Sequence, residues 1–359
     1  MSARERIHEL LILGLTPEEV AALSGKAAVF TLRKEIIEHT KFTRAIREIA
    51  RLHQRGREAR VAEGMLLVAQ TGSGKTTLLE YYERGFPRTF KDGVTMIPVL
   101  RVDTPESPSV KDLAEAILNA LGDPAAAKGT TAAKTRRICH FFKVCGVELM
   151  LIDEFQHFFD GTRVAESRRI SNWLKLLMIK VRIPVVLAGL PRSIQVVNLN
   201  PQLRRRFAAP FYMEPFAFGT KEEQVELRGV LGGIQQSLPK GSIDISEANM
   251  AMRFYYASHG LFDYIVKVID DAASRGGSGA GGQLTMADYA MAFKRVVWFD
   301  APDALNPFME KATLRLLTKP LEPFDIWDDI ANYTKPPQIR KRATAGRGVA
   351  VKKAKKGKQ

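Results

Sequence analysis

Two cysteines in 359 residues are too few for a disulfide framework. Cys139 and Cys145 also lack the paired spacing of a zinc or iron–sulfur site, so reduced, chemically quiet thiols are expected. No apolar run approaches the length of a membrane-crossing helix, and the start of the chain carries no secretory apolar stretch. The sequence therefore predicts a soluble, cytoplasmic chain with no membrane partner. Internal repeats are missing, and residues 300–359 show no helix-turn-helix pattern.

Acidic residues are absent from one stretch in particular. Lys335–Gln359 holds ten Lys/Arg and no Asp/Glu, so a net charge of +15 falls to +5 for residues 1–334. Such a stretch is too poor in apolar residues to fold alone and is expected to be a disordered basic tail. Its plain use is solubility; its sharper use is to neutralise nucleic-acid phosphates and release their counterions.

What the chain does have is an apolar fraction of 45%, enough for a sizeable core in one large or two moderate domains. Thr16, Pro17 and Glu19 form a helix start. Phe42, Ala45, Ile46, Ile49, Ala50 and His53 then mark one face of a helix that is expected to end near Arg55-Gly56-Arg57. Five strand candidates follow: 65–69, 95–102, 147–152, 183–188 and 210–216. Alternating with helical patterns, they predict an α/β fold with a parallel sheet covered on both faces. Helices are predicted over 221–229, 246–257 and 262–274, as in a small helical second domain, with Gly276–Gly282 as a flexible loop inside it. The implied organisation is a helical segment over 1–60, an α/β core over 61–218, a helical domain over 219–300, a segment at 301–334 that packs on the core or binds a partner, and the tail at 335–359.

The chemistry concentrates after the first strand. Ala69, Gln70, Thr71, Gly72, Ser73, Gly74, Lys75, Thr76 and Thr77 run from a buried strand into a helix, the setting of a phosphate-binding loop. Its glycines let backbone N–H groups turn onto phosphates, Lys75 reaches the β/γ oxygens, and the Thr76 hydroxyl is a Mg²⁺ ligand. Ala69 replaces the usual first glycine, a tolerable change if its φ stays negative. Leu149–Ile152 is a buried strand ending in Asp153 and Glu154. There Asp153 would help hold Mg²⁺, and Glu154 would polarise the water attacking the γ-phosphate. ATP and Mg²⁺ are the expected cofactors. Arg204-Arg205-Arg206 follows the fourth strand. An isolated run would be a solvated turn, but after a phosphate site it fits an arginine supplied in trans to a neighbour's γ-phosphate, which forces head-to-tail assembly.

Together the phosphate loop, the Asp-Glu strand and the Leu203–Phe207 box resemble an AAA+ P-loop ATPase, with a five-stranded parallel core and a helical lid. The helix before the loop, with Leu151–Phe158 and Leu187–Pro191, is similar to the TniB/TnsC family of transposition regulators. The resemblance spans about residues 35–275. It implies an ATPase that assembles on double-stranded DNA, as a hexameric or heptameric ring or a helical filament. It also implies contacts with a DDE transposase and with a target-recognition protein, TniQ/TnsD-like or CRISPR-associated. By that resemblance Arg206 matches the arginine finger, with Arg204 and Arg205 as fallbacks, and ATP hydrolysis by Lys75, Glu154 and Arg206 drives disassembly. Lys128, Lys134, Arg136, Arg137, Arg163, Arg168 and Arg169 become candidates for DNA phosphates, each also readable as an ordinary helix charge. Two departures stand out. No polar side chain marks the sensor position at Ala188-Gly189-Leu190, where Arg192 and Ser193 are the nearby substitutes, and Asp263 stands where a lid arginine is usual. Both imply slow or conditional hydrolysis, stimulated by DNA or partners. The competing readings are a replication-type initiator or loader, and a protein-interaction NTPase without DNA binding.

Overall fold

The computed structural model of the protein describes residues 40–59, 62–106, 108–160 and 164–325. The Thr16 helix start, Arg163 and the basic tail lie outside them. Helix α1 (Thr40–Ala59) presents Phe42, Ala45, Ile49 and Leu52 to the core; fully burying a side chain such as Ile49 or Leu52 contributes roughly 1.5–3 kcal/mol. Gly56 does not end this helix. It is buried because the Pro184 ring lies 2.4 Å from where its Cβ would stand, so it marks a close approach.

After β1 (Gly64–Ala69) and α2 (Lys75–Arg84), a two-stranded antiparallel hairpin, β2 (Thr89–Lys91) and β3 (Val94–Met96), turns at Asp92 and Gly93, both with positive φ. The strand expected over 95–102 is therefore two strands. Residues 94–96 belong to the hairpin, Pro98 interrupts, and β4 (Val99–Asp103) joins the main sheet. Next come α3 (Val110–Ala120), α4 (Thr131–Val144), β5 (Leu149–Asp153), α5 (His157–Asp160), α6 (Val164–Val181), β6 (Val185–Gly189), α7 (Ser193–Asn198), α8 (Pro201–Arg204) and β7 (Phe211–Met213). The five-stranded sheet has the order β4-β5-β6-β1-β7, and every neighbouring pair is parallel. Leu66, Val68, Met150, Ile152, Val185 and Leu187 face one apolar cluster with α3, α4 and α6. Leu67, Leu149, Leu151, Val186 and Ala188 face a second with α1 and α2. Both faces are covered, as a parallel sheet requires.

A third cluster holds α9 (Lys221–Gln235), α10 (Ala248–Ser258), α11 (Phe262–Ser274) and α12 (Met286–Val296). Helix α9 begins with a capping box between Thr220 and Glu223. Residues after 300 pack into this cluster through Ala301, Phe308, Leu317 and Phe324. Asn306, fully buried, pins the turn by donating to Ala290 O at 2.9 Å. The Gly-rich stretch is tied down as well, since the Asp288 carboxylate accepts from Ser278 and Thr285. Burial opposes the charge on Asp288, but these hydrogen bonds outweigh it and hold the carboxyl below the usual carboxylate range.

Candidate functional site

The phosphate loop leaves β1 with Ala69 still in strand geometry, and Gly72 and Gly74 take positive φ of 75° and 82°. Gly74 caps α2, whose first residue is Lys75. Lys75 is 6% exposed, and its Nζ donates to Ala69 O at 3.2 Å and to Gln70 O at 2.9 Å. Burial pushes its pKa down, while the Glu154 and Asp153 carboxylates pull the other way. The amine thus sits at the mouth of the loop, held only by carbonyl oxygens. Ser73 Oγ is buried there without a hydrogen-bond partner. An unsatisfied hydroxyl donor and an ammonium with one N–H to spare, at the N-terminus of α2, fit a phosphate chain.

The acidic strand closes the other side. Asp153 accepts from Thr76 Oγ1 at 2.7 Å and from the Glu154 N–H at 2.8 Å, which places a hydroxyl and a carboxylate together as Mg²⁺ ligands would be. Thr104, at the exit of β4, donates Oγ1 to Asp153 O at 2.6 Å, and His157 Nδ1 donates to Thr104 O at 3.1 Å. His157 is thus packed at the strand end. Glu154 has φ of 52°, a left-handed conformation that is strained for a side-chain-bearing residue and common at functional sites. Gln156, absent from the sequence-based candidates, donates Nε2 to Glu154 Oε2 and accepts the Leu190 N–H on Oε1 at 3.2 Å.

The lid touches the loop directly. The Asp263 N–H donates to Gly72 O at 3.0 Å, and Lys267 Nζ lies 2.5 Å from Asp263 Oδ2. The position where a lid arginine was sought therefore carries a carboxylate, neutralised by a lysine one turn on. Gly260 allows this docking: with φ of +71°, any Cβ on it would stand 1.9 Å from Phe216 O.

The arginine box sits on α8, capped by Asn200, whose Oδ1 accepts from Gln202 and Leu203. Phe207 fills the space left by Gly64. Arg204 donates to Phe207 O at 2.7 Å and Arg206 to Ala62 O at 3.2 Å. Arg205 is exposed and borders a groove with Arg168, Asn172, Lys175 and Gln202.

Among the DNA candidates, Lys128, Arg136, Arg168 and Arg169 are exposed, Arg169 pairing with Glu166 at 3.1 Å. Lys134 is a correction. It is fully buried, with Nζ 2.9 Å from Glu115 Oε2 and donating to Ala126 O, because it falls on the same face of α4 as Ile138. Arg137 likewise clamps the 123–128 turn through Asp123, Ala125 O and Lys128 O.

A parallel five-stranded sheet with a phosphate loop after its fourth-placed strand and an acidic strand two places away, across β6, is the AAA+ P-loop ATPase fold. Solved structures agree. The Aeropyrum pernix ORC2 protein in ADPNP–ADP complexes superposes with a TM-score of 0.55 at 13% identity, over 73% of this chain and 69% of that one. The Aeropyrum pernix ORC1 protein in complex with DNA gives 0.55 at 15%, over 73% and 66%. Cdc6p from Pyrobaculum aerophilum gives 0.51 at 12%, over 79% and 74%. At these identities the likeness establishes the fold. The family model described as Bacterial TniB protein matches residues 29–217, more than half of the chain, and the protein belongs to the TniB family. A comparison with curated proteins returns no match.

Proposed function

We propose that the protein is an ATP-dependent regulator of DNA transposition that assembles on duplex target DNA and links a target-recognition protein to a DDE transposase. The observation that carries the ATPase half is the contact of Thr76 with Asp153 at 2.7 Å, with Glu154 next in line and Lys75 buried beside them. Family membership supports transposition, and the DNA-bound ORC1 relative of the same fold supports DNA as the surface of assembly.

In this reading Lys75 leaves the Ala69 and Gln70 carbonyls for β/γ-phosphate oxygens, and the loop N–H groups and Ser73 Oγ take the remaining acceptors. Mg²⁺, bound with ATP, would supply charge neutralisation on the phosphates, and Thr76 and Asp153 are the residues that would hold it. Glu154 orients and deprotonates the attacking water. Arg204 and Arg206 spend N–H groups on carbonyls of their own chain, so Arg205, free to extend, is the arginine for a neighbour's γ-phosphate.

The test is ATP hydrolysis and electron microscopy, each with and without duplex DNA. Hydrolysis that rises with DNA, and DNA-bound assemblies that persist in Glu154→Gln, are expected. ATPase activity indifferent to DNA, with no assembly on it, would leave a protein-interaction NTPase instead. Helicase or clamp loading without any effect on transposition would favour the initiator reading that the ORC-like fold also accommodates.

A further inference from the structure

Gln156 is 4% exposed, yet both ends of its amide are engaged. Nε2 donates to the Glu154 carboxylate, and Oε1 accepts from Leu190 N at 3.2 Å, in the loop leaving β6. The backbone runs the same way, with Phe155 N donating to Ala188 O at 2.9 Å. Space for the amide comes from Gly189: a Cβ there would lie 2.8 Å from Gln156 Oε1 and 2.3 Å from Ser193 Oγ. Beyond Leu190 the chain passes Arg192, which grips Asp160 with Nη2 at 2.5 Å from Oδ2, and continues through α7 and α8 into the arginine box.

We infer that Gln156 is a positioning residue that fixes the Glu154 carboxylate and ties it to the β6 exit loop, so that the subunit's own arginine-bearing segment sets the activity of its own base. This rests on Glu154 being the hydrolytic base, as proposed above. The chemistry suits the task. Glu154 lies just past the end of β5 in a left-handed conformation, and His157 Nε2 stands 3.9 Å from its carboxylate, too far to fix it by a hydrogen bond. A neutral amide donates without competing for the proton that Glu154 must take. Because its second end is held by a main-chain N–H, a shift of the Leu190 loop pulls the donor and misaims the base, and a misplacement of about 1 Å can cost roughly a hundredfold in rate.

Two substitutions remove the bridge from different sides. Gln156→Leu keeps the volume and deletes both hydrogen bonds; Gly189→Ala leaves Gln156 in the chain and denies its amide the space. In the 359-residue chain each should lower kcat for ATP by roughly 10- to 100-fold, with KM and the affinity for a fluorescent ATP analogue unchanged. The decisive measurement is the double variant Gln156→Leu/Glu154→Gln. If Gln156 acts through Glu154, the double variant hydrolyses no more slowly than Glu154→Gln alone. Parent-level kcat in Gln156→Leu, a further additive loss in the double variant, or loss of nucleotide binding together with turnover would each overturn the assignment. Should the parent show no turnover that Glu154→Gln removes, it is the ATPase reading that fails, and that control identifies the case.

Discussion

Lys75 and Lys134 show how differently two buried lysines can serve one chain. Lys134 has a carboxylate partner, Glu115, and closes a turn. Lys75 has only carbonyl oxygens within hydrogen-bond reach, and burial pushes its pKa down. An ammonium held at such a disadvantage gains on meeting a phosphate and loses little when deleted from the ligand-free protein. Lys75→Ala is therefore expected to keep a melting temperature near the parent's while ATP affinity falls at least roughly 100-fold, about 2.7 kcal/mol. Titration with a fluorescent ATP analogue and a thermal melt measure both; undiminished affinity would remove Lys75 from the phosphate site. Asp153 and Glu154 are consecutive in the sequence but divided in use: one accepts from Thr76 and its neighbour's N–H, the other turns left-handed towards Gln156.

At the scale of elements, α1 is fastened to the core by a buried His53, whose Nε2 lies 3.2 Å from Glu148 Oε2 and whose Nδ1 lies 3.1 Å from Tyr82 Oη. Burial lowers the His53 pKa below 6.5, against the pull of Glu148, and raises that of the Tyr82 hydroxyl to about 12. A neutral ring serves both contacts, with Nε2–H donating to Glu148 and Nδ1 accepting from Tyr82. The unfolded chain binds this proton more readily than the folded one, so the contribution is complete above pH 6.5 and is lost as pH falls through 6.5 towards the lowered folded value. His259, also lowered by burial, acts in the same direction. Denaturation midpoints at pH 7.5 and 5.5 should show the parent losing stability on acidification. His53→Gln should be less stable at pH 7.5 but lose less between the two values; an equal loss in both would exclude His53 as a source. The α1 face and the order of strands and helices were legible because apolar period and phosphate-loop spacing are local signals. The break at Pro98 and the Asp92-Gly93 turn were also local, but the apolar and β-branched residues between Thr95 and Val102 read as one strand. Gly56 was misread as a helix stop because its partner, Pro184, is distant in sequence. Gln156 was illegible for the same reason: one end of its bridge is a backbone N–H that no side-chain pattern marks.

At the scale of the whole molecule, the proposed mechanism calls for one component from a neighbouring subunit, an arginine facing the γ-phosphate. Arg205, exposed on the segment that leads away from the β6 exit loop, borders a groove with Arg168 and Lys175 of α6. Motif resemblance puts the finger at Arg206. Geometry favours Arg205, because Arg206 is tethered to Ala62 O and, through its own carbonyl, to the Gly64 N–H at 2.8 Å. Arg206→Ala should therefore cost stability at the start of β1, whereas Arg205→Ala should leave the melting temperature and single-chain ATP affinity unchanged and reduce hydrolysis. The factor follows from the worth of a trans arginine, roughly 10³ or more where such a finger is fully engaged. Mixing separates the two by position in the assembly. Arg205→Ala subunits retain Glu154 and lack the finger, while Glu154→Gln subunits retain the finger and lack the base. At each head-to-tail junction that sets a Glu154→Gln subunit's arginine against an Arg205→Ala subunit's nucleotide, one intact site is rebuilt. Equimolar mixtures should recover up to about a quarter of parent turnover if subunits assort at random, since half of the sites carry the base and half of those face a subunit with the finger. Recovery with Arg206→Ala in place of Arg205→Ala would return the role to Arg206, and no recovery with either would mean that the groove contacts something other than a neighbour's nucleotide.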